Sequence, residues 1–198
     1  QINRVAILLP DEGEKAIAIE RYTGKLRDQV DENTYKGEQW VSVSSLGRAV
    51  PPSEASVSAL DRGFLYGDSV YETLRTSGGE PVALREHLDR LERSAAGILL
   101  HLSFTRGEIV NAMLSTVQAA QNPDCKVRVV VTRGGGPMAL DTRNSHAPLL
   151  VIYVEPLVTP GSADYERGLS AVIVDYRGHN RDRFAPSLKT GNYLPSIL

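Results

Sequence analysis

Lys189 is the side chain whose setting best fits covalent chemistry. An amine attacks a carbonyl only after losing its proton, so a reactive lysine needs burial or nearby positive charge to lower its pKa. Three arginines precede it in a basic stretch, Arg177, Arg181 and Arg183, and an apolar helix start follows. On the residues alone, an exposed lysine at the start of a helix is the favoured interpretation, and a lysine that forms an imine with a carbonyl group is the alternative.

A second chemically dense segment spans residues 61–72 and leads into a strand at 70–76. The turn at 77–80 is rich in glycine, which predicts a hairpin with a return at 81–84. The period of two places Tyr71, Thr73 and Arg75 on one face. A phenol, a hydroxyl and a guanidinium suit the wall of a polar pocket better than a core.

Two further arginines stand where an anion could be held, because the planar guanidinium matches carboxylate and phosphate oxygens. Arg90 lies in the helix predicted over 86–102, and its alternative is a surface ion pair with Glu86, four residues earlier. Arg128 lies within the strand predicted over 126–132, on the face opposite the alternating valines at 127, 129 and 131. Its alternative is a side chain that faces solvent beside Lys126.

The remaining elements must position these side chains. The patterns predict a short helix within 11–22 and longer helices at 86–102 and 105–121. They also predict strands at 40–44, 126–132, 149–154 and 169–176. The strand at 149–154 is expected to be fully buried. Two prolines and a glycine at 156–164 suggest a linker. The expected organisation is an extension of unclear role at 1–40, an α/β domain at 41–155, a linker at 156–165, and the start of a second domain at 166–198.

Composition excludes several classes of function. The 198 residues carry 22 basic and 24 acidic side chains, so the net charge of −2 gives no field for nucleic acid or an anionic membrane. The single cysteine and four scattered histidines match no metal-ligand spacing. No apolar run approaches the length of a membrane span. We expect a cytoplasmic protein without a metal.

Three motifs together resemble one family. They are Lys189-x-x-Asn192-Tyr193-Leu194, the segment at 61–72, and His87-x-x-Arg90-Leu91. In their order along the chain, these motifs are similar to those of the fold type IV, or class IV, enzymes that depend on pyridoxal 5'-phosphate. That family includes branched-chain aminotransferases, D-amino-acid aminotransferases and aminodeoxychorismate lyase. The resemblance covers about residues 45–198.

The resemblance implies an α/β fold of two domains with the cofactor in the cleft between them. Lys189 would carry pyridoxal phosphate as a Schiff base, Arg90 would grip its phosphate, and Tyr193 would donate to its ring oxygen. Branched-chain enzymes place that tyrosine one residue further from the lysine. Family members continue well past the lysine, so the second domain is expected to be truncated in this chain. They are usually dimeric, which predicts a homodimer.

The resemblance also implies how a substrate is held. Tyr66, Tyr71, Thr73 and Arg75 match pocket-lining positions, and Arg128 matches a strand arginine that binds the substrate carboxylate in branched-chain enzymes. We therefore predict an aminotransferase acting on a branched-chain-like L-amino acid and a 2-oxo acid.

Two alternatives stay open. Thr73 is similar to the pattern of aminodeoxychorismate lyase, which is the first alternative. A non-catalytic binding module is the remote one. A D-amino-acid enzyme is disfavoured, because residues 138–140 read Met-Ala-Leu where such enzymes carry an Arg-x-His carboxylate trap.

Overall fold

A computed structural model describes residues 2–8, 16–22, 39–43, 47–168, 171–174 and 188–193, with strands 2–8, 16–22 and 171–174 described by their backbone alone. The chain divides into two compact units. One comprises Gln1–Tyr35, Val158–Ser187 and Tyr193–Leu198, and the other comprises Lys36–Leu157 and Leu188–Asn192. We refer to them as the first and the second unit.

The described elements are nine strands and four α-helices. The strands are β1 Ile2–Leu8, β2 Ala16–Tyr22, β3 Trp40–Val43, β4 Ala49–Val50, β5 Ser69–Ser77, β6 Glu80–Pro81, β7 Cys125–Thr132, β8 Leu150–Pro156 and β9 Ala171–Val174. The helices are α1 Arg62–Tyr66, α2 Leu84–Gly97, α3 Arg106–Ala119 and α4 Ser162–Arg167. Among the helices that the structure describes, none has the length and apolar character needed to cross a bilayer.

The first unit contains an antiparallel sheet in the order β1-β2-β9. The short helix predicted within 11–22 is wrong, because residues 16–22 form strand β2. The reason is visible in the sequence. Ile17 and Ile19 alternate with small residues, and β-branched side chains at a period of two favour a strand.

The second unit is built on a six-stranded antiparallel sheet in the order β4-β3-β8-β7-β5-β6. Helices α2 and α3 bury one face of it. The core there includes Val127, Val129 and Val131 of β7, which are at most 1% exposed, as their alternation predicted. Residues opposite one another on neighbouring strands share a face, so Tyr71, Thr73 and Arg128 lie on the other side.

Helix α2 ends earlier than its apolar pattern predicted. It stops at Gly97 instead of 102, and Leu99 adopts a positive φ of 54°. The amides of Leu100 and Leu99 then donate to the carbonyls of Ala95 and Ala96. This is the paired hydrogen bonding that closes a helix at its carboxyl end. Leu99 is consequently 88% exposed instead of joining the apolar stripe, whereas Leu100 is buried.

Strand β8 is also less buried than its apolar sequence predicted. Tyr153 is 44% exposed, because it projects from the sheet face opposite the two long helices. Its neighbours Ile152 and Val154 point toward those helices and are buried. The strand therefore combines a core face with a partly open face.

Gly134 anchors the loop that follows β7, and replacing it with alanine should destabilise the second unit strongly. Its φ is 86°, and an added Cβ would lie 2.5 Å from the carbonyl oxygen of Ala147 and overlap that of His146. We expect Gly134→Ala to lower the free energy of unfolding by about 3 kcal/mol, since strain and backbone overlap add.

Gly78 provides a matched control, because it also has a positive φ, 60°, but open space around its Cβ position. Gly78→Ala should cost only about 1 kcal/mol. Urea unfolding of both variants measures the two changes, and equal losses would show that crowding at Gly134 has no effect.

Candidate active site

Lys189 is fixed along strand β5 by backbone hydrogen bonds. The amide of Tyr71 donates to the Lys189 carbonyl at 3.0 Å, and the amide of Gly191 donates to the Ser69 carbonyl at 2.9 Å. The Lys189 amide donates to Ser94 Oγ on helix α2 at 3.0 Å. The segment Leu188–Asn192 thus belongs to the second unit and carries the lysine to a defined place beside the sheet.

Gly191 is needed for this close approach. A Cβ at this position would overlap Ser69 Oγ and lie 3.3 Å from the carbonyl oxygen of Gly67. Any larger side chain would push the segment away from β5. The glycine two residues after the lysine therefore has a packing reason.

The amine of Lys189 lies against an aromatic ring that also contacts an arginine. Its Nζ is 4.6 Å from the ring centroid of Tyr71, and Arg128 Cζ is 4.2 Å from the same centroid. Both distances are typical of cation–π contacts. The structure thus brings together three of the residues singled out from the sequence.

The surroundings of Lys189 lower its pKa below the usual value. Burial is the largest cause, and the charges of Arg90 and Arg128 act in the same direction, whereas Glu72 opposes them. A lowered pKa increases the neutral fraction of the amine at a given pH, and the neutral form is the nucleophile.

Arg90 is held by a buried carboxylate. Its Nε and Nη2 donate to the two oxygens of Glu72 at 2.6 and 2.7 Å, and His87 Nδ1 lies 2.8 Å from Glu72 Oε2. The surface pair with Glu86, the alternative for Arg90, is wrong. Glu86 bonds to Arg85 instead.

Sequence reasoning missed Glu72, although a signal was present. Glu72 lies between Val70 and Leu74 on the face of β5 that packs into the core, and it is 1% exposed. A carboxylate on an apolar face requires a partner, because burying an unpaired charge is costly. The partners hold its pKa low: burial acts to raise it, but hydrogen bonds from Arg90 and His87 prevail.

The remaining pocket-wall residues follow the sheet register. Arg128 lies opposite Thr73 on one side and Tyr153 on the other. Arg75 lies opposite Lys126, is exposed, and occupies the far end of this row. Tyr153 also lines a cavity of about 290 Å³ whose walls include valine and alanine side chains.

The other two predicted site residues are Tyr66 and Tyr193. Tyr66 ends helix α1, where its ring centroid is 5.0 Å from Arg62 Cζ. Tyr193 is 37% exposed and falls in the first unit, whereas Lys189 falls in the second. Arg177, Arg181 and Arg183 lie outside the described residues. Within the part of the chain that the structure describes, no three metal-ligating side chains cluster.

Comparison with known proteins points to one family. A family model described as amino-transferase class IV matches residues 69–198. One relative is a Methanocaldococcus jannaschii protein named as a candidate branched-chain-amino-acid aminotransferase. It is 35% identical over 152 residues, which cover 77% of this chain and 52% of the relative. D-alanine aminotransferase from Bacillus licheniformis is 34% identical over 65% of this chain and 45% of its own length.

Solved structures agree. Branched-chain aminotransferase from Thermoproteus uzoniensis, determined with norvaline, matches with a TM-score of 0.53 and 30% identity, covering 62% of this chain and 42% of that one. A 4-amino-4-deoxychorismate lyase from Pseudomonas aeruginosa matches with a TM-score of 0.53 and 26% identity, covering 66% and 44%. This chain spans about half the length of the curated relatives it matches.

Proposed function

Since the chain belongs to the class IV aminotransferase family, we propose that it contributes Lys189 to a site that moves an amino group between an amino acid and a 2-oxo acid. One observation carries the proposal. Lys189 has a lowered pKa and lies 4.6 Å from the Tyr71 ring, on which Arg128 also packs. A nucleophilic amine and an anion-binding guanidinium are thereby close together.

The family's cofactor is pyridoxal 5'-phosphate. When bound, it supplies an aldehyde that reacts with amines and a ring that accepts electrons. The donor set fits such a group: Lys189 offers an amine, and Arg90 keeps N–H groups beyond those bonded to Glu72. Arg90 would hold the phosphate, and Tyr193 would donate to the ring oxygen.

The chain's own residues would then divide the work. Arg128 binds the substrate carboxylate, with Tyr66 or Tyr71 beside it, and so orients the α-carbon. Lys189 Nζ takes the α-proton as a general base and returns a proton as a general acid. Burial favours the neutral amine needed for the first of these steps.

A branched-chain-like L-amino acid is the substrate class we favour. The relative from Methanocaldococcus jannaschii, which is 35% identical over 77% of this chain, is named for a branched-chain-amino-acid aminotransferase, and this likeness supports the choice. The predicted homodimer and cytoplasmic location stay predictions.

Aminodeoxychorismate lyase activity is the second candidate. Thr73 favours it, and Thr73 lies directly opposite Arg128 in the sheet, so both residues would face one substrate. Turnover of a branched-chain amino acid with 2-oxoglutarate, against pyruvate release from aminodeoxychorismate, separates the two activities.

The first test is peptide mapping of the protein after incubation with pyridoxal phosphate and reduction by borohydride. We expect a pyridoxyl label on Lys189, because this lysine combines a lowered pKa with nearby arginines. Lys126 is the internal control, since its amine is exposed and paired with Glu155. A folded protein that is unlabelled at Lys189, or labelled equally at Lys126, would exclude this function and favour the binding-module alternative.

A further inference from the structure

We propose that Glu72 is a positioning residue that presents Arg90 to the phosphate of the ligand held at Lys189. The inference rests on the function proposed above and deepens it. Glu72 would touch neither substrate nor cofactor. It would act through Arg90.

The geometry of the pair fixes the guanidinium. Glu72 accepts from Nε and Nη2 of Arg90, which is the side-on, two-bond arrangement. The Glu72 side chain is 2% exposed, whereas that of Arg90 is 39% exposed. The carboxylate end is therefore embedded in the core, and the guanidinium extends from it toward the open side.

The side-on pair leaves a defined set of donors. An arginine carries five N–H groups, of which Glu72 uses one on Nε and one on Nη2. Within the part of the chain that the structure describes, no hydrogen bond engages Nη1. Its two N–H groups are thus available to a second anion, and phosphate oxygens match that edge.

The position of Glu72 in strand β5 relates the guanidinium of Arg90 to the amine of Lys189. Tyr71 and Glu72 are consecutive in β5, so their side chains point to opposite faces. Tyr71 contacts the Lys189 amine, while Glu72 fixes Arg90. One rigid strand thereby sets the separation of the two groups that would hold the aldehyde and phosphate ends.

Glu72 also acts electrostatically on Lys189. Its negative charge raises the pKa of Lys189, against burial and the charges of Arg90 and Arg128, which lower it. Among the described residues, Tyr71 also contacts this amine, and His87 shares the Glu72 carboxylate. Removing the charge of Glu72 should therefore shift Lys189 reactivity to lower pH.

The experiment compares two aldehydes that differ only in the phosphate. The protein is incubated with pyridoxal or pyridoxal phosphate, reduced by borohydride, and mapped for label on Lys189. The ratio of the concentrations giving half-maximal labelling is the phosphate preference. For Glu72→Gln we expect this preference to fall about tenfold or more, since a charged hydrogen bond is worth at least that factor.

A conservative variant and a control variant test this interpretation. Glu72→Asp keeps the negative charge but shortens the side chain by one methylene, which moves the carboxylate away from Arg90. The phosphate preference should therefore fall, while the pH dependence of labelling at Lys189 should not change. Glu92→Gln removes an exposed carboxylate that pairs with Arg106 on the outside of α2, and it should change neither quantity. If Glu72→Gln fails to fold, Glu72→Asp alone decides whether the preference depends on the placement of the carboxylate.

The outcomes distinguish the two proposals. Equal loss of labelling by both aldehydes in the Glu72 variants, with the preference unchanged, would mean that Glu72 is only structural and would overturn the inference. A rise in preference would also overturn it, since Glu72 would then repel the phosphate. Absence of label on wild-type Lys189 with either aldehyde would instead reject the proposed function.

Discussion

Lys189→Ala should reduce amino-group transfer by about 10⁴-fold, the upper range for a positioned acid–base group, while leaving the fold intact. The fold survives because the structural bonds of this residue use its backbone: the amide donates to Ser94 Oγ and the carbonyl accepts from Tyr71. The measurement is the rate of 2-oxo acid formation at saturating amino acid, together with thermal unfolding of the same preparation.

Lys126→Ala is the control, because it removes an exposed amine that pairs with Glu155 on the same sheet. Its activity should stay within about twofold of wild type, as surface ion pairs contribute little. Added methylamine should restore part of the rate of Lys189→Ala by supplying the missing amine. A Lys189→Ala protein that retains more than a tenth of the wild-type rate would show that another group moves the proton.

Arg90→Met should abolish most of the preference for pyridoxal phosphate over pyridoxal and also destabilise the second unit. Glu72 would keep His87 but lose both bonds to arginine. Breaking a fully buried pair costs about 3–5 kcal/mol. We expect about 2 kcal/mol, because Arg90 is 39% exposed and solvent screens its charge. Arg93→Met changes an exposed arginine of the same helix and should be neutral for both measurements.

The stability difference between wild type and Arg90→Met should depend on pH in one direction. Burial acts to raise the pKa of Glu72, but the hydrogen bonds from Arg90 and His87 and the charge of Arg90 hold it below its ordinary value of 4.5. The pair therefore stabilises the fold fully above pH 4.5, and the stabilisation is lost as pH falls through the lower folded-state pKa. Urea unfolding at pH 7 and at successively lower pH should show the two proteins converging. A difference that stays constant into that acidic range would contradict the ion pair.

Much of the second unit could be predicted from local patterns. The alternating valines of β7 and the glycine-rich turn of the hairpin were predicted correctly, but the return strand is Glu80–Pro81 instead of 81–84, and helix α2 begins at Leu84. The end of α2 could not be read from apolar spacing, because Leu99 fits the stripe but takes the left-handed conformation that closes the helix. Strand β2 was missed although Ile17 and Ile19 alternate at a period of two, because so short an apolar run is also compatible with a helix.

The site was predictable to a similar extent. Lys189, Tyr71 and Arg128 were each singled out by type and position, and the structure brings them together. Glu72 carried a signal, because it is a carboxylate between Val70 and Leu74 on an apolar face, but its partners could not be predicted. They depend on which helix covers that face, and spacing along the chain does not contain this information. Ser94, which holds the Lys189 backbone, was inaccessible for the same reason.

The docking of Leu188–Asn192 on β5 has a consequence for the order of folding. The Lys189 amide and the Ser94 hydroxyl that holds it are 95 residues apart in the chain. Between β8 and this segment, the chain contributes Val158–Ser187 to the first unit. Closing so long a loop costs entropy that is recovered only when the segment docks, so contacts of this range form slowly. We expect the hydrophobic core of the second unit to form before the lysine is captured, which makes chemical competence a late event in folding.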